Sequence, residues 1–110
     1  MTILVPPRAH ANIACAVEGF SLSNTISGSL ATSCTITLTP EVTYAAVPAL
    51  VGAPQHIKGV GSAATKIDNW AITTQAVGGV TITVTLDAAP GAGITDTIVF
   101  VGGLIGIPAR

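Results

Sequence analysis

Val80-Thr81-Ile82-Thr83-Val84-Thr85-Leu86 alternates apolar residues and threonines without a break. Successive side chains of a strand point to opposite faces, so this stretch turns Val80, Ile82, Val84 and Leu86 to a core and the threonines to solvent. β-Branched residues on both faces suit the pleated conformation. Ser33-Cys34-Thr35-Ile36-Thr37-Leu38-Thr39 repeats the pattern. Pro40 ends it, because proline brings no donor to a ladder. Residues 94–101 predict a third strand, apolar on both faces toward its end, and Ala71-Ile72-Thr73-Thr74-Gln75 after Trp70 predicts a fourth. Residues 12–20 and 47–51 are weaker strand candidates. No useful window shows the period of about 3.6 residues that marks a helix, and residues 62–69 are the one stretch where a short helix fits. The chain therefore reads as all-β, a small antiparallel β-sandwich or jelly-roll-like domain of roughly 6–8 strands.

Turn chemistry suggests the pairing. Gly78-Gly79 separates the Trp70 strand from the Val80 strand, as hairpin turns do. A loop of Val77-Gly78-Gly79 sets Trp70 opposite Leu86 and Ile72 opposite Val84, keeping apolar residues on one face. Residues 87–93 form a loop by composition. Pairing Leu86 with Ile94 then puts Ile82 against Ile98 and Val80 against Phe100, which predicts a three-stranded meander. Three regions follow: an extended apolar N-terminal arm over 1–11, a sandwich over 12–103, and a C-terminal arm over 104–110. Ile3-Leu4-Val5-Pro6-Pro7 and Leu104-Ile105-Gly106-Ile107-Pro108 are apolar without alternation, which suggests docking on either their own domain or a neighbour.

Composition narrows the function. The 110 residues are 49% apolar and 8% charged, with four Lys/Arg, five Asp/Glu and a net charge of −1. A soluble domain ordinarily carries roughly 25% charged residues. High apolar content argues against disorder. The near-zero charge offers no footprint for phosphates, so no nucleic-acid partner is expected. Residues 98–109, the longest apolar run, are too short for the roughly 20 residues of a membrane helix and are broken by Gly102, Gly103, Gly106 and Pro108. The spacing of Gly102 and Gly106 fits a small-xxx-small pair, but no spanning helix carries it, so no membrane partner is expected. A surface so poor in charge points to an assembled protein rather than a free monomer.

Candidate chemistry is sparse. If Asn24 and Thr25 centre the connection between the first two strands, Cys15 faces Cys34 and a cross-strand disulfide becomes geometrically open. The residues before Pro6 lack a secretory signal, which favours the alternative of two buried thiols. His10 and His56 supply no metal-ligand spacing, and no metal or cofactor is expected. Gly59-Val60-Gly61-Ser62-Ala63-Ala64 matches G-x-G-x-x-A, but it runs into a strand instead of opening a helix, so it reads as a flexible loop. Asp96 shares its face with Ile94 and Ile98; it reads as a rim residue bonded to backbone donors, with a metal ligand or acid as the functional alternative. The remaining acids are dispersed, no G-x-S-x-G elbow occurs, and no enzyme is expected. Trp70 reads as a core residue, with sugar stacking by Trp70 or Tyr44 as the alternative.

The strand Cys34-Thr35-Ile36-Thr37-Leu38-Thr39-Pro40, the segment Tyr44-Ala45-Ala46-Val47-Pro48-Ala49-Leu50-Val51 and the Trp70–Val101 strands together resemble bacteriophage virion β-sandwich proteins. These are capsid decoration (cement) proteins and tail-fibre tip domains, and the likeness covers about residues 30–103. It implies a repeated assembly, a homotrimer for preference, without catalysis. One small domain with short apolar ends suits a decoration protein on the capsid surface of the virion, with the major capsid protein as partner. The expected assembly contacts are Ile3, Leu4, Val5, Pro6 and Pro7 in the first arm, and Val99, Val101, Leu104, Ile105 and Ile107 near the end. Two other readings stand beside it. One is a receptor- or carbohydrate-binding tail-fibre domain using Gln55, His56 and Lys58, and the other is a self-assembling pilus or surface-layer subunit.

Overall fold

The computed structural model describes residues 15–109. Six strands follow one another: β1 (Ala16–Gly28), β2 (Ser33–Leu38), β3 (Ala49–Ile57), β4 (Ile67–Ala76), β5 (Gly79–Leu86) and β6 (Gly91–Gly106). They form two antiparallel three-stranded sheets, ordered β1-β6-β3 and β2-β5-β4. No helix occurs among the described residues, so none there is long and apolar enough to cross a membrane. The all-β expectation is met, and the two sheets make a small sandwich.

The core lies between the sheets. One side contributes Ile36 and Leu38 from β2 and Val80, Ile82, Val84 and Leu86 from β5; the other contributes Ile26, Ile98, Phe100 and Leu104. Along β5, every apolar residue is buried and every threonine is half-buried, as the alternation requires. β2 pairs with β5 through Cys34–Val84, Ile36–Ile82 and Leu38–Val80, so one face of the pair is entirely apolar.

Several expectations are corrected. β5 does not pair with β6, so there is no meander: the chain crosses to the opposite sheet after Leu86, and Ile82 and Ile98 meet the core from opposite layers. The β4–β5 hairpin turns on Val77-Gly78, with Ala76 opposite Gly79. An irregularity between Ile72 and Thr74 then puts Ile72 opposite Ile82 and Trp70 opposite Val84, and a second between Ile67 and Asn69 puts Ile67 opposite Leu86. Apolar faces still meet, by bulges instead of by loop length. Asn24 and Thr25 sit inside β1, which pairs with β6, so Cys15 and Cys34 are not cross-strand neighbours. Both are free thiols.

The C-terminal boundary also moves. β6 runs on to Gly106, so residues 104–106 are sheet rather than arm. Leu104 is fully buried in the core and presents nothing to a partner. A bridge between Tyr44 and Pro108 then ties the chain end to the β2–β3 connection. Ala45 N–H donates to the Ile107 carbonyl and Ala109 N–H to that of Thr43. Trp70 is 36% exposed and Ile72 41% exposed, although both share a face with buried β5 residues. Tyr44, in contrast, is buried. The contacts expected at Ile3, Leu4, Val5, Pro6 and Pro7 lie outside the described residues.

Candidate functional site: an uncharged outer sheet face above three carboxylate clasps

The outer face of β1-β6-β3 can be read row by row from the register. Val17, Ile105 and Ala49 stand side by side, followed by Gly19, Gly103 and Val51, then Ser21, Val101 and Ala53, then Ser23, Val99 and Gln55. No residue in these rows is charged. Val17 is 73% exposed, Val51 57% and Val101 60%, while Val99 and Ile105 are half-buried. Two consecutive glycines in the second row leave it without side chains beside the taller Val17–Ile105 row. The result is a trough of about 280 Å³ lined by Val17, Gly19, Val51, Gly103 and Ile105. Small-molecule pockets run roughly 300–1,000 Å³ and are concave, so this shallow apolar feature suits a peptide or protein surface better.

Local backbone explains the glycines. Gly52, beside the trough, has φ +116°, and a Cβ there would lie 2.6 Å from the Val101 carbonyl oxygen. An added Cβ at Gly103 would strike the Glu18 carbonyl oxygen, whereas one at Gly19 would meet nothing within 4 Å. The floor is thus part fixed by chain packing and part open.

Scarce charge is absorbed by the inner edges of the sandwich. Asp96 on β6 is fully buried. Its Oδ1 accepts from the Gly59 N–H at 2.7 Å, and its Oδ2 accepts from the Ser62 hydroxyl at 2.7 Å and meets His56 Nε2 at 2.7 Å. Burial pushes the Asp96 carboxyl up, but Gly59, His56 and Ser62 pull it down further, and it ends below the ordinary carboxylate value. Each donor comes from β3 or the β3–β4 connection, so Asp96 clasps that connection onto β6.

Glu18 does the same for the β2–β3 connection. It accepts from the N–H of Glu41 at 2.8 Å, that of Val42 at 3.4 Å and the Tyr44 hydroxyl at 2.8 Å. Burial raises its carboxyl and these donors lower it, with a net lowering. Burial, with Glu18 alongside, pushes the Tyr44 hydroxyl up to about 12. Asp87 accepts from the Thr65 hydroxyl, the Thr65 N–H and the Lys66 N–H, and these bonds hold it down at about 2. Three of the five acids are therefore occupied in fixing connections.

Ser62, Asp96 and His56 carry the residue types of a hydrolase triad in the wrong order. The serine hydroxyl and the imidazole both bond to the carboxylate, whereas nucleophilic catalysis needs the imidazole between the other two. The arrangement locks a loop. Asp96 accepts from one backbone donor, but it is fully buried within β6 and not the rim residue expected, and two of its three partners are side chains. The G-x-G-x-x-A stretch, expected as a flexible loop, is pinned through Gly59 and Ser62, with Ala64 buried. Among the described residues no three His, Cys, Asp or Glu come together to hold a metal. His56 lies under the loop rather than with Gln55 and Lys58 at a surface site, for its side chain is 7% exposed. Burial pushes the half-buried Cys34 thiol up, away from reactivity.

The sequence reading missed the Glu18 and Asp87 clasps. Glu18 did carry a signal, since it shares an inward parity with Ala16 and Phe20, both packed on the core. No family model, curated protein or solved structure matches the chain.

Proposed function

We propose that this chain is a non-enzymatic structural subunit that assembles through the outer face of β1-β6-β3, and that it serves as a decoration protein on a bacteriophage capsid. The observation carrying the assembly reading is the uncharged face itself, on which Val17, Val51 and Val101 are each more than half exposed. Contiguous apolar surface of this kind marks interaction sites in soluble proteins. With 8% charged residues and a net charge of −1, the molecule carries little charge to oppose association. The capsid as the partner lattice follows from the resemblance of the alternating strands to virion proteins. Two measurements test the proposal. Mass in solution by light scattering is expected to exceed that of one chain, and a monomer at high concentration defeats the assembly reading. The protein is also expected to co-sediment with capsids stripped of their decoration protein, and no binding at saturation defeats the capsid reading.

A carbohydrate-binding role has one observation in its favour, the half-exposed indole of Trp70 on β4. Stacking on a sugar ring would use that face. A glycan array that responds to the wild-type chain and falls silent with Trp70→Ala would favour this role over the lattice.

A further inference from the structure

We infer that the glycine-floored trough on β1-β6-β3 receives the segment Ile3-Leu4-Val5-Pro6-Pro7 of a second copy of this chain. The inference rests on the assembly reading above and names the occupant of that surface.

Three observations converge on it. First, the trough is chemically selective. Its lining offers the side chains of Val17, Val51 and Ile105, and the one acid that borders it, Glu18, has its carboxylate occupied by Glu41, Val42 and Tyr44, so the trough matches an uncharged aliphatic segment. Among residues 1–14, just before the described structure, Ile3-Leu4-Val5 is the run of three large aliphatic residues. Second, the floor admits a peptide backbone. Gly19 and Gly103 present no side chain, so a neighbouring chain can lie close against the sheet. The two prolines that follow the aliphatic residues have no N–H, and they add no unpaired donor over an apolar surface.

Third, the connection favours another copy over self-docking. The trough begins at Val17, two residues after Cys15, while seven residues, Arg8-Ala9-His10-Ala11-Asn12-Ile13-Ala14, separate Pro7 from Cys15. To cover its own trough the segment would have to double back within that stretch. It contains neither Gly nor Pro, and its lone Asn12 precedes β-branched Ile13, so it lacks the residues that make tight reversals. Extended, seven residues reach roughly 23 Å at ~3.3 Å each, enough to carry the segment to an adjacent copy. Each copy would then give one segment and receive one, an exchange that closes as a pair or a ring.

The test uses the full chain with a benzophenone amino acid at Leu4, irradiated in a mixture of isotope-labelled and unlabelled copies. Cross-links from position 4 to Val17, Val51 or Ile105 between labelled and unlabelled chains are expected. Gly19→Val fills the open part of the floor without a clash and should reduce both cross-linking and association about tenfold or more. Ile3→Asp, which puts a charge on the segment itself, should do the same. Cross-links confined to single chains, or directed to other surfaces, overturn the inference. If deletion of residues 1–7 leaves the oligomer intact while Val101→Glu breaks it, the inference falls and the assembly reading stands. An oligomer indifferent to both changes, or a wild-type monomer, overturns the two together.

Discussion

The two sheets share a core and differ on their backs. The outer face of β2-β5-β4 is a threonine surface: Thr35 lies opposite Thr83 and Thr37 opposite Thr81. Its hydroxyls pair across the strands, Thr37 with Thr81 at 2.9 Å and Thr73 with Thr83 at 3.0 Å. The outer face of β1-β6-β3 is also poor in charge, but its central rows carry valine, isoleucine and glycine where the other sheet carries threonine, and the other sheet has an exposed acid in Asp68 on β4. Threonine and valine are nearly isosteric and both favour strands, so the difference contributes little to folding. It changes what each face does with water. A hydroxyl-bearing sheet is satisfied by solvent and by its neighbours, whereas a methyl-bearing sheet gains by being covered. Scarcity of charge alone therefore does not mark an interface in this molecule; the hydroxyls separate the two faces.

The comparison can be broken at several strengths. Phe100 fills the core that both sheets share, and Phe100→Ala should cost about 3–5 kcal/mol by chemical denaturation, with no preference for either outer face. Asp96→Ala should cost roughly 3 kcal/mol, because it strands the part-buried groups of Gly59, Ser62 and His56 around a fully buried position. Faster hydrogen exchange should then appear in the β3–β4 connection before the sheets themselves respond.

Acid probes the clasps together. Their carboxyls lie below the ordinary values of 3.8 and 4.5 in the folded state, so the unfolded chain binds more protons at low pH. The stability they contribute is fully present above those values and is lost as pH falls toward the Asp87 value of about 2. Urea midpoints measured across that window should decline accordingly, and a flat profile would contradict the clasp assignment. The gentlest change makes one back resemble the other. Val51→Thr with Val101→Thr should leave stability within about 0.5 kcal/mol, yet weaken association about tenfold by sedimentation.

Alternation made β2 and β5 legible, since each has one covered face and an ordinary register. Sheet membership was harder to read. Leu86 and Ile94 have matching parity whether their strands lie side by side or face each other across a core, so pattern alone could not separate a meander from a crossing. Trp70 failed for a related reason. Its parity is inward, but burial also requires the opposing sheet to extend over it, and that extent is not written in β4. The clasps were partly legible. A carboxylate at inward parity, as at Asp96 and Glu18, signals that donors must arrive from somewhere. Where they come from depends on segments 23 to 40 residues away, brought close by the fold. The outward orientation of Val99 and Val101 was legible because odd positions of that stretch of β6 face away from the core, while the burial of Leu104 was missed by treating sheet residues as arm.

The pairing of β1 with β6 has a consequence for how the molecule comes into being. Ala16 lies opposite Gly106 in the register, while β4 and β5 are joined by a tight turn. On a ribosome the hairpin can close as soon as it emerges. β1, made first, must wait unpaired until nearly all the remaining residues have been added, and β3 waits with it for the same central strand. Non-local closure of this kind folds slowly, on the order of milliseconds to seconds. The surface proposed to hold copies together is thus the last part of each copy to exist, and a nascent chain has no finished trough to offer its neighbours.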